Sequence, residues 1–539
     1  MRIAVIDLET DPFKYGRLPL PFAAGFYDGK DYRYFWGDDC VVQLLAFLKA
    51  YPTPLIIYAH NGGRFDFWYL SHVIADPVLF IDSRLVKASL FHHEIRDSFK
   101  ILPVPLAQLN KDEIDYAHME RGRRERYKAE ILSYLKTDCY SLFDGVKRFI
   151  MRHGDVLTIG AAAMKELRKT YKVEHITPAQ DATYRQYFHG GRCECFEVGP
   201  LRGDKPWKLY DVNSLYPDCM ARYLHPIGAA DYMCSEIPDA PFFLARICAR
   251  SKGAFPFRTK EGLTFPHGHF EFWVTSHEIH MALKLQLAEI TQVIEVHAWD
   301  NVRTFDKFVY PLDREKIDAE TRGDKAGRTI AKLTENNAYG KFATDPTKFK
   351  EFKLFGSIAE CEAAGFKFDG ELGERIIGAL PIVPIPRQYY NVATAASVTG
   401  AGRSIFMHAW ASADRAAYGD TDSAWCQELP LELDQKKLGA WKLETECDTL
   451  YIAGKKLYAA HKGRARIGSK KWIDGFYADP GENTKPIKCA SKGVRMKPEQ
   501  IAQVALGETI RVPIDAPSLR IGQDAKFIAR EIVQRVKVA

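Results

Sequence analysis

Hydrophobic and polar positions change their period several times along the chain. Near the start, "RIAVIDLET" and "TPLIIYAHN" are short apolar runs of strand length. "AEILSYLKTDCYSLFDGVKRFI" instead repeats apolar residues every three to four positions, as an amphipathic helix does. The first third therefore predicts an α/β unit. Residues 150–190 read as a linker followed by a helix. Near "HGGR" (189–192) a second unit opens, with strand "WKLYDV" and then "NSLYPDCMARYL", a loop turning into a helix. Residues 231–305 read as mixed, with short strands and Pro/Gly turns. "DREKIDAETRGDKAGRTIAKLTENNAYGKF" predicts two helices separated near "RGD". Residues 344–388 are strand-like and irregular. A long Ala-rich helix, "NVATAASVTGAGRSIFMHAWASA", precedes "YGDTDS", and the last ninety or so residues are mixed and basic.

The length, 539 residues, exceeds what a single core serves and implies several domains. At 46% hydrophobic and 27% charged the composition is globular. No apolar run is long enough to cross a bilayer. "MRIAVIDLETDPF" reaches two acidic residues by position ten and lacks the basic-then-apolar form of a signal peptide. A soluble, cytoplasmic protein is expected, in the host cell's cytoplasm if the chain is viral. The eleven cysteines are scattered, Cys193 and Cys195 being closest, and no CxxC occurs, which argues against structural zinc or a disulfide framework. The net charge of +6 is mild. "RGRRERYK" (121–128), "KKLYAAHKGRAR" (455–466) and "GSKK" (468–471) concentrate cations. Any one reads equally as a solvated face; several together fit a polyanion, because phosphate contacts release counterions.

Asp7 and Glu9 are two apart on a predicted strand and share a face. "AHNGGRFDF" places Asp66 just after an apolar strand. Tyr134 and Asp138 are four apart on a predicted helix and share a face. Each pair alone is an ordinary strand end or helix surface. Together, the oxygen ligands suit Mg²⁺ or Mn²⁺, and two ions about 4 Å apart can activate a water and stabilise a phosphodiester leaving oxygen. In order, "DxE", "HNxxxFD" and "YxxxD" resemble the motifs of proofreading 3′–5′ exonucleases with an RNase H-like fold. The resemblance implies that Asp7, Glu9, Asp66 and Asp138 are catalytic metal ligands and that Tyr134 orients the attacking water. Asn61 and Phe65 would hold the 3′ terminus, with Tyr58 and His60 nearby. Three residues, "GGR", separate Asn61 from Phe65, where related phage enzymes usually have two.

Asp420 and Asp422 lie in "YGDTDS", which alone reads as a polar turn. Asp211 ends strand "WKLYD" and opens "DVNSLYP". These two stretches resemble motifs C and A of family B DNA polymerases. The resemblance implies that Asp211 and Asp422 are the main ligands of two metals, that Asp420 acts less directly, and that Tyr216 selects dNTPs by blocking a ribose 2′-OH. The metals would lower the pKa of a primer hydroxyl and neutralise the triphosphate. "KLTENNAYGK" resembles motif B. Its residues agree: Lys325, Arg328, Lys332, Asn336 and Tyr339 fall within a stripe of roughly 80° on one helix face. Cations there would meet phosphates, and Tyr339 could stack on the nascent base pair. "KKLY" resembles the family's KxY motif, with Lys456 and Tyr458 on the primer strand. "KCASKGV" resembles the lysine–glycine segment leading into the thumb, with Lys492.

Length and two insertions resemble the protein-primed branch of this family, found in phages and linear plasmids. The expected fold is multidomain α/β and α+β, an RNase H-like exonuclease joined to a right-hand polymerase. Residues 1–155 would be the exonuclease, 156–224 and 389–487 the palm, 306–343 the fingers and 488–539 the thumb. Residues 225–305 and 344–388 match the branch's two insertions. "DSFKILP" resembles a ligand of single-stranded DNA and terminal protein, with Ser98 and with Phe99 in place of leucine. "KDEIDY" resembles a segment bearing an exonuclease lysine, here Lys111. "FHGG" resembles an element linking the two activities, with Phe188 for tyrosine and with Gly190 and Gly191. The resemblance implies a DNA-directed DNA polymerase with proofreading that replicates a linear viral or plasmid genome by protein priming and strand displacement. It would use two Mg²⁺ or Mn²⁺ per site, dNTPs, template DNA and a primer 3′ end. A terminal protein would be its primer, and a single-stranded DNA-binding protein is a candidate partner. Two alternatives stay open: a family B polymerase using a nucleic-acid primer or none, in repair or a mobile element, and a catalytically silent DNA-binding scaffold, against which both complete carboxylate sets argue. A reverse transcriptase would more typically show a YxDD-type motif.

Overall fold

The computed structural model describes residues 2–12, 19–106, 114–382, 390–462, 472–473, 476–477, 485–491, 496–513 and 529–532. Lys111 and Lys492 lie outside them. The N-terminal sheet is organised by strand Ile3–Thr10, which pairs in parallel with Ile56–Ala59 and antiparallel with Pro21–Tyr27. Ile56–Ala59 pairs in parallel with His93–Asp97. Because side chains alternate across a strand, Ile6, Leu8, Ile57 and Ala59 pack with Leu44 and Leu48 of helix Cys40–Ala50, while Val5, Phe22 and Tyr58 face helix Lys128–His153. That helix buries Ile131, Leu135, Leu142, Val146 and Phe149, and on the same face Tyr134 and Asp138. The helix continues past residue 150 to His153 and stops at Gly154, whose φ is +73. Helices Ile159–Leu167 and Pro178–Tyr184 follow, capped by the side chains of Thr158 and Thr177, so the non-helical connection expected before the helix is confined mainly to residues 168–177 and an additional helix precedes it.

A second, five-stranded sheet runs in the order Trp441–Cys447, Trp207–Val212, Ser423–Cys426, Tyr418–Asp420, Cys193–Cys195. Helix Val392–Ser412, rich in small residues and buried along most of its length, packs on it together with helix Leu215–Arg222. Residues 231–305 are mixed, with helix Ser276–Lys284 and short strands such as Phe257–Thr259 and Gly262–Thr264, but they also hold a four-stranded sheet whose strands Phe242–Lys252 and Ala288–Trp299 span 11 and 12 residues. The first of these is apolar on both faces at its start and alternates only later, which hides its length from a period-two reading. Strands Lys350–Phe355, Lys367–Leu372 and Arg375–Pro381 are antiparallel, and Phe352 pairs with Val78, so residues 350–381 extend the N-terminal sheet to ten strands.

Helices Asp306–Thr321 and Lys325–Asn337 stand beside helix Lys128–His153. Arg148 reaches Asp324 at 3.0 Å, His153 Nε2 lies 3.2 Å from Thr334 Oγ1, and Arg152 pairs with Glu315. The helix carrying the expected stripe is interrupted only at Ala338, which keeps helical dihedrals (φ −69, ψ −49), and resumes as the short helix Tyr339–Phe342, with Ala338 and Phe342 buried in the core. Among the described residues no helix is long and apolar enough to cross a membrane.

The turn that carries Asn61 and Asp66 has a tight backbone. Asn61 adopts φ +63, and Gly62–Arg64 forms one 3₁₀ turn. A Cβ on Gly63 would lie 1.9 Å from the Leu85 carbonyl oxygen, while the Gly63 N–H donates to Asp97 Oδ2 at 3.1 Å. The "GG" in the lengthened loop is thus a packing requirement. Gly63→Ala should destabilise the N-terminal unit by about 3 kcal/mol, as overpacking against fixed backbone does. Gly122→Ala, with nothing within 4 Å, should not. Equal thermal midpoints for the two variants would contradict this.

Candidate active sites

Asp7 and Glu9 come from strand Ile3–Thr10 and Asp138 from helix Lys128–His153 packed on it. Their carboxylate oxygens lie within 4.8 Å of one another. Cys139, beside Asp138, has its thiol pushed well up by burial and by the charges of Asp7, Asp138, Glu9 and Asp66. A compact, all-oxygen anionic donor set fits a hard divalent cation and suits no soft metal. Asp66 is adjacent to this triad and is not part of it: its Oδ1 accepts from the Leu8 N–H at 3.1 Å, and burial, with Asp97 adding, raises its pKa. Tyr134 faces the cluster. Burial, the Asp138 charge, a hydrogen bond with Tyr116 and the Glu9 charge all hold its hydroxyl protonated.

Around that cluster, His60 Nδ1 lies 3.0 Å from Ser98 Oγ, and its Nε2 lies 3.0 Å from the Val104 carbonyl. Phe99 places its ring 5.7 Å from His60 and under the Arg84 guanidinium at 4.7 Å. Arg84 donates to Asn61 Oδ1 at 2.7 Å and pairs with buried Asp97 at 2.6 Å. Phe65 meets Tyr69 edge-on at 5.6 Å. Two expectations are corrected. Tyr58 is 1% exposed, in the core under helix Lys128–His153, with its hydroxyl accepting from Arg96. Ser98 is fully buried and donates to the Ala59 carbonyl. Neither side chain is exposed in this structure to receive a DNA strand; Ser98 Oγ instead lies against His60 Nδ1.

In the five-stranded sheet Asp211 pairs across to Ser423 on one side and to Lys442 on the other. The Val212 N–H donates to the Asp422 carbonyl at 2.8 Å, which fixes the "YGDTDS" turn beside Asp211. Asp420 and Ser423 pair across that turn, and Thr421 sits at φ +62 within it. Burial, then the Asp211 charge, raise Asp422 to about 6. Asp211 is itself raised by burial, and Lys442, 3.2 Å away, pulls it back. This oxygen-only group again suits a divalent cation. Asp420 is turned to Lys456, whose Nζ lies 2.5 and 2.7 Å from its oxygens. Tyr458 is 8% exposed, packed between Tyr418 and Trp425.

The glycine pair supports the same turn. A Cβ on Gly191 would strike Thr421 at 2.5 Å, and the Thr421 N–H donates to the Arg192 carbonyl at 2.6 Å. Buried Arg403 donates to the carbonyls of His189 and Gly190 and pairs with buried Glu278 at 2.8 Å. Phe188 is half-buried beside these residues. Tyr216 and Tyr339 meet with ring centroids 4.3 Å apart. Burial raises the Tyr339 hydroxyl, and the Asp422 charge adds to it, so this ring pair borders the carboxylates. Lys325, Arg328, Lys332 and Asn336 occupy the less buried face of their helix. Arg328 is 3.3 Å from Glu320, and Asn336 donates to the Lys332 carbonyl.

Sequence reading missed Lys442, Arg84, Arg403 and Glu278, each of which contacts or supports a predicted residue. Their roles depend on pairing across strands far apart in sequence, and no short motif signals that. The cluster at 121–128 is partly accounted for within the chain, since Arg121 and Arg124 both pair with Asp38.

The family described as DNA polymerase type B, organellar and viral, matches residues 107–360. The DNA-directed DNA polymerase of Enterobacteria phage PRD1 is 38% identical over 544 residues, 98% of each chain. The DNA polymerase of Bacillus phage phi29 is 25% identical over 452 residues, 76% of this chain and 74% of that one. The solved structure of phi29 DNA polymerase complexed with primer-template DNA and incoming nucleotide substrates superposes with a TM-score of 0.69 at 17% identity, covering 99% of this chain and 100% of that one. The fold is that of an exonuclease domain joined to palm, fingers and thumb. Similarity of this extent to the PRD1 enzyme, with the family match, means that the chain belongs to the organellar and viral type B DNA polymerases.

Proposed function

We propose that the two carboxylate sets run separate reactions, Asp211 and Asp422 adding nucleotides and Asp7, Glu9, Asp66 and Asp138 removing them. As a member of its family the chain is a DNA-directed DNA polymerase of a type that also carries 3′–5′ exonuclease activity. The observation that carries the division is spatial. Asp422 stands beside Asp211 at one sheet, bordered by the Tyr216–Tyr339 ring pair of two neighbouring helices, while Asp7, Glu9 and Asp138 gather between another sheet and helix Lys128–His153.

Bound at either set, divalent ions supply Lewis-acid polarisation of an oxygen nucleophile and neutralise phosphate charge. Two ions at each set is our reading; the family requires a divalent metal and dNTPs. The chain's own groups do the rest. Tyr134, kept protonated, can donate to the attacking water's oxygen or to the scissile phosphate and orient it. Lys332 and Arg328 offer cations to a triphosphate. Tyr216, its ring fixed against Tyr339, leaves little room beside the sugar for a 2′-hydroxyl. Lys456 neutralises Asp420 and can move to a primer phosphate. Asn61, Phe65, His60 and Phe99 line the approach to the excision site, where they would hold a frayed 3′ end. Residues 225–305 and 344–388 are read as the surfaces that receive a priming protein and the template, with strand displacement following from the latter.

Asp422→Ala should reduce nucleotide addition by about a thousandfold or more, the scale of losing several kcal/mol of metal-borne stabilisation, and leave excision of a labelled primer intact. Asp7→Ala should do the reverse; one substitution removing both activities from a folded protein would break the two-site account. Tyr216→Val should admit ribonucleotides, measured as a fall in dNTP-over-rNTP preference in single-nucleotide extension, and unchanged preference would remove Tyr216 from that role. With Mg²⁺ or Mn²⁺, labelled dNTPs, a candidate terminal protein and no oligonucleotide, label should become covalently attached to that protein. Extension only after a DNA primer is added would favour conventional priming.

A further inference from the structure

Arg192 immediately precedes strand Cys193–Cys195, and its side chain is 3% exposed. Its Nε and Nη2 donate to Glu194 Oε2 at 2.9 and 2.6 Å, and its Nη1 donates to the Gly253 carbonyl at 2.8 Å. The guanidinium also lies 4.3 Å from the centre of the Phe265 ring, 4.8 Å from that of Trp410 and 5.5 Å from that of Phe196, all within cation–π reach. Gly253 and Phe265 flank the hairpin formed by strands Phe257–Thr259 and Gly262–Thr264, and Trp410 belongs to helix Val392–Ser412. One buried cation thus joins three parts of the chain that are distant in sequence. The hairpin makes two further contacts nearby: Arg258 donates to the Phe188 carbonyl at 2.9 Å, and Lys455, next to Lys456, donates to the Leu263 carbonyl at 3.0 Å.

The backbone of Arg192 is engaged as well. Its carbonyl accepts the Thr421 N–H at 2.6 Å, and the two residues after it, Cys193 and Glu194, pair with Asp420 and Gly419. Thr421 adopts φ +62, which a β-branched residue holds only when its surroundings fix it. The Asp422 N–H donates back to the Asp420 carbonyl at 2.7 Å, so the place of the Thr421 amide sets the course of the chain into Asp422. A buried ion pair is a poor source of stability, because apolar side chains of similar volume can replace it. What a guanidinium provides is a rigid planar fork that stacks and bonds in fixed directions at once. Rings and hydrogen bonds together hold that fork here, and they thereby fix the residue whose carbonyl carries Thr421.

We propose that Arg192 is a positioning residue for nucleotide addition, the junction through which residues 253–265 hold the Thr421 turn and with it Asp422. The inference rests on the assignment of nucleotide addition to Asp211 and Asp422. Loosening the junction displaces a carboxylate of the reacting centre and leaves the nucleotide's own contacts in place. The loss therefore falls on the chemical step, and excision at Asp7, Glu9 and Asp138 is spared.

The test uses the full chain, with Asp7→Ala to isolate incorporation and without it to read excision. Arg192→Lys keeps the charge but loses the fork. It should lower kcat for a dNTP about tenfold, the scale of a small misplacement at a reacting centre, with KM within about twofold, as for an interaction needed only in the transition state. Phe265→Leu, which removes a ring on the far side of the junction, should lower kcat about threefold and add nothing to Arg192→Lys, because coupled residues are non-additive. Excision of a labelled single strand should stay at the wild-type rate in both. A wild-type kcat in either variant, a loss on KM alone, multiplied losses in the double variant, or excision falling in step with addition would overturn the proposal. If Arg192→Lys does not fold, Phe265→Leu decides: an unchanged kcat overturns it. Nucleotide addition that survives Asp422→Ala in the Asp7→Ala background would overturn the site assignment itself, whatever the Arg192 and Phe265 variants do.

Discussion

Asp7, Glu9 and Asp138 are crowded within 4.8 Å, and Asp422 is raised both by its burial and by the charge of Asp211. Two unit charges 4 Å apart repel by about 4 kcal/mol at an effective dielectric of 20. That energy opposes folding unless the backbone holds the groups in place and a cation offsets it. Strand pairing provides the hold. Asp211 is fixed between Ser423 and Lys442 by hydrogen-bonded neighbours, and Asp7 lies in a strand flanked on both sides. Lys442 and Lys456 supply provisional positive charge at Asp211 and Asp420. Both carboxylate sets therefore have the same physical logic: a rigid frame keeps anions closer than they would choose to be, and a divalent ion bound there would relieve the repulsion.

The frames are joined as well as similar. Helix Lys128–His153 gives Tyr134 and Asp138 to the Asp7–Glu9 carboxylate cluster, and its far end holds helices Asp306–Thr321 and Lys325–Asn337 through Arg148, Arg152 and His153. Residues 350–381, which follow those helices in sequence, complete the N-terminal ten-stranded sheet. Beside the five-stranded sheet, the Arg403–Glu278 pair ties helix Ser276–Lys284 to the loop beneath Thr421. A shift in either helix or loop is thus felt at a carboxylate.

Much of this was legible wherever chemistry is local. "DLE", "YLKTD" and "YGDTDS" put acids two or four residues apart, and the periods of strand and helix then set shared faces. Depth of burial was not legible. Tyr58 and Ser98 sit in motifs that resemble DNA-contacting ones, yet tertiary packing covers them, and no local pattern reports that. Lys442, Arg403 and Glu278 were invisible because their partners are strands or helices apart. The longer strands of 242–299 were misread because a stretch buried on both faces loses its alternation.

The most direct check is anomalous scattering from Mn²⁺ in crystals of the full chain bound to primer-template DNA and a dNTP. The account expects manganese against Asp211 and Asp422 in the palm and, separately, against Asp7, Glu9 and Asp138 in the exonuclease domain. Manganese absent from either set in a complex that still performs the corresponding reaction on addition of Mn²⁺ would contradict it.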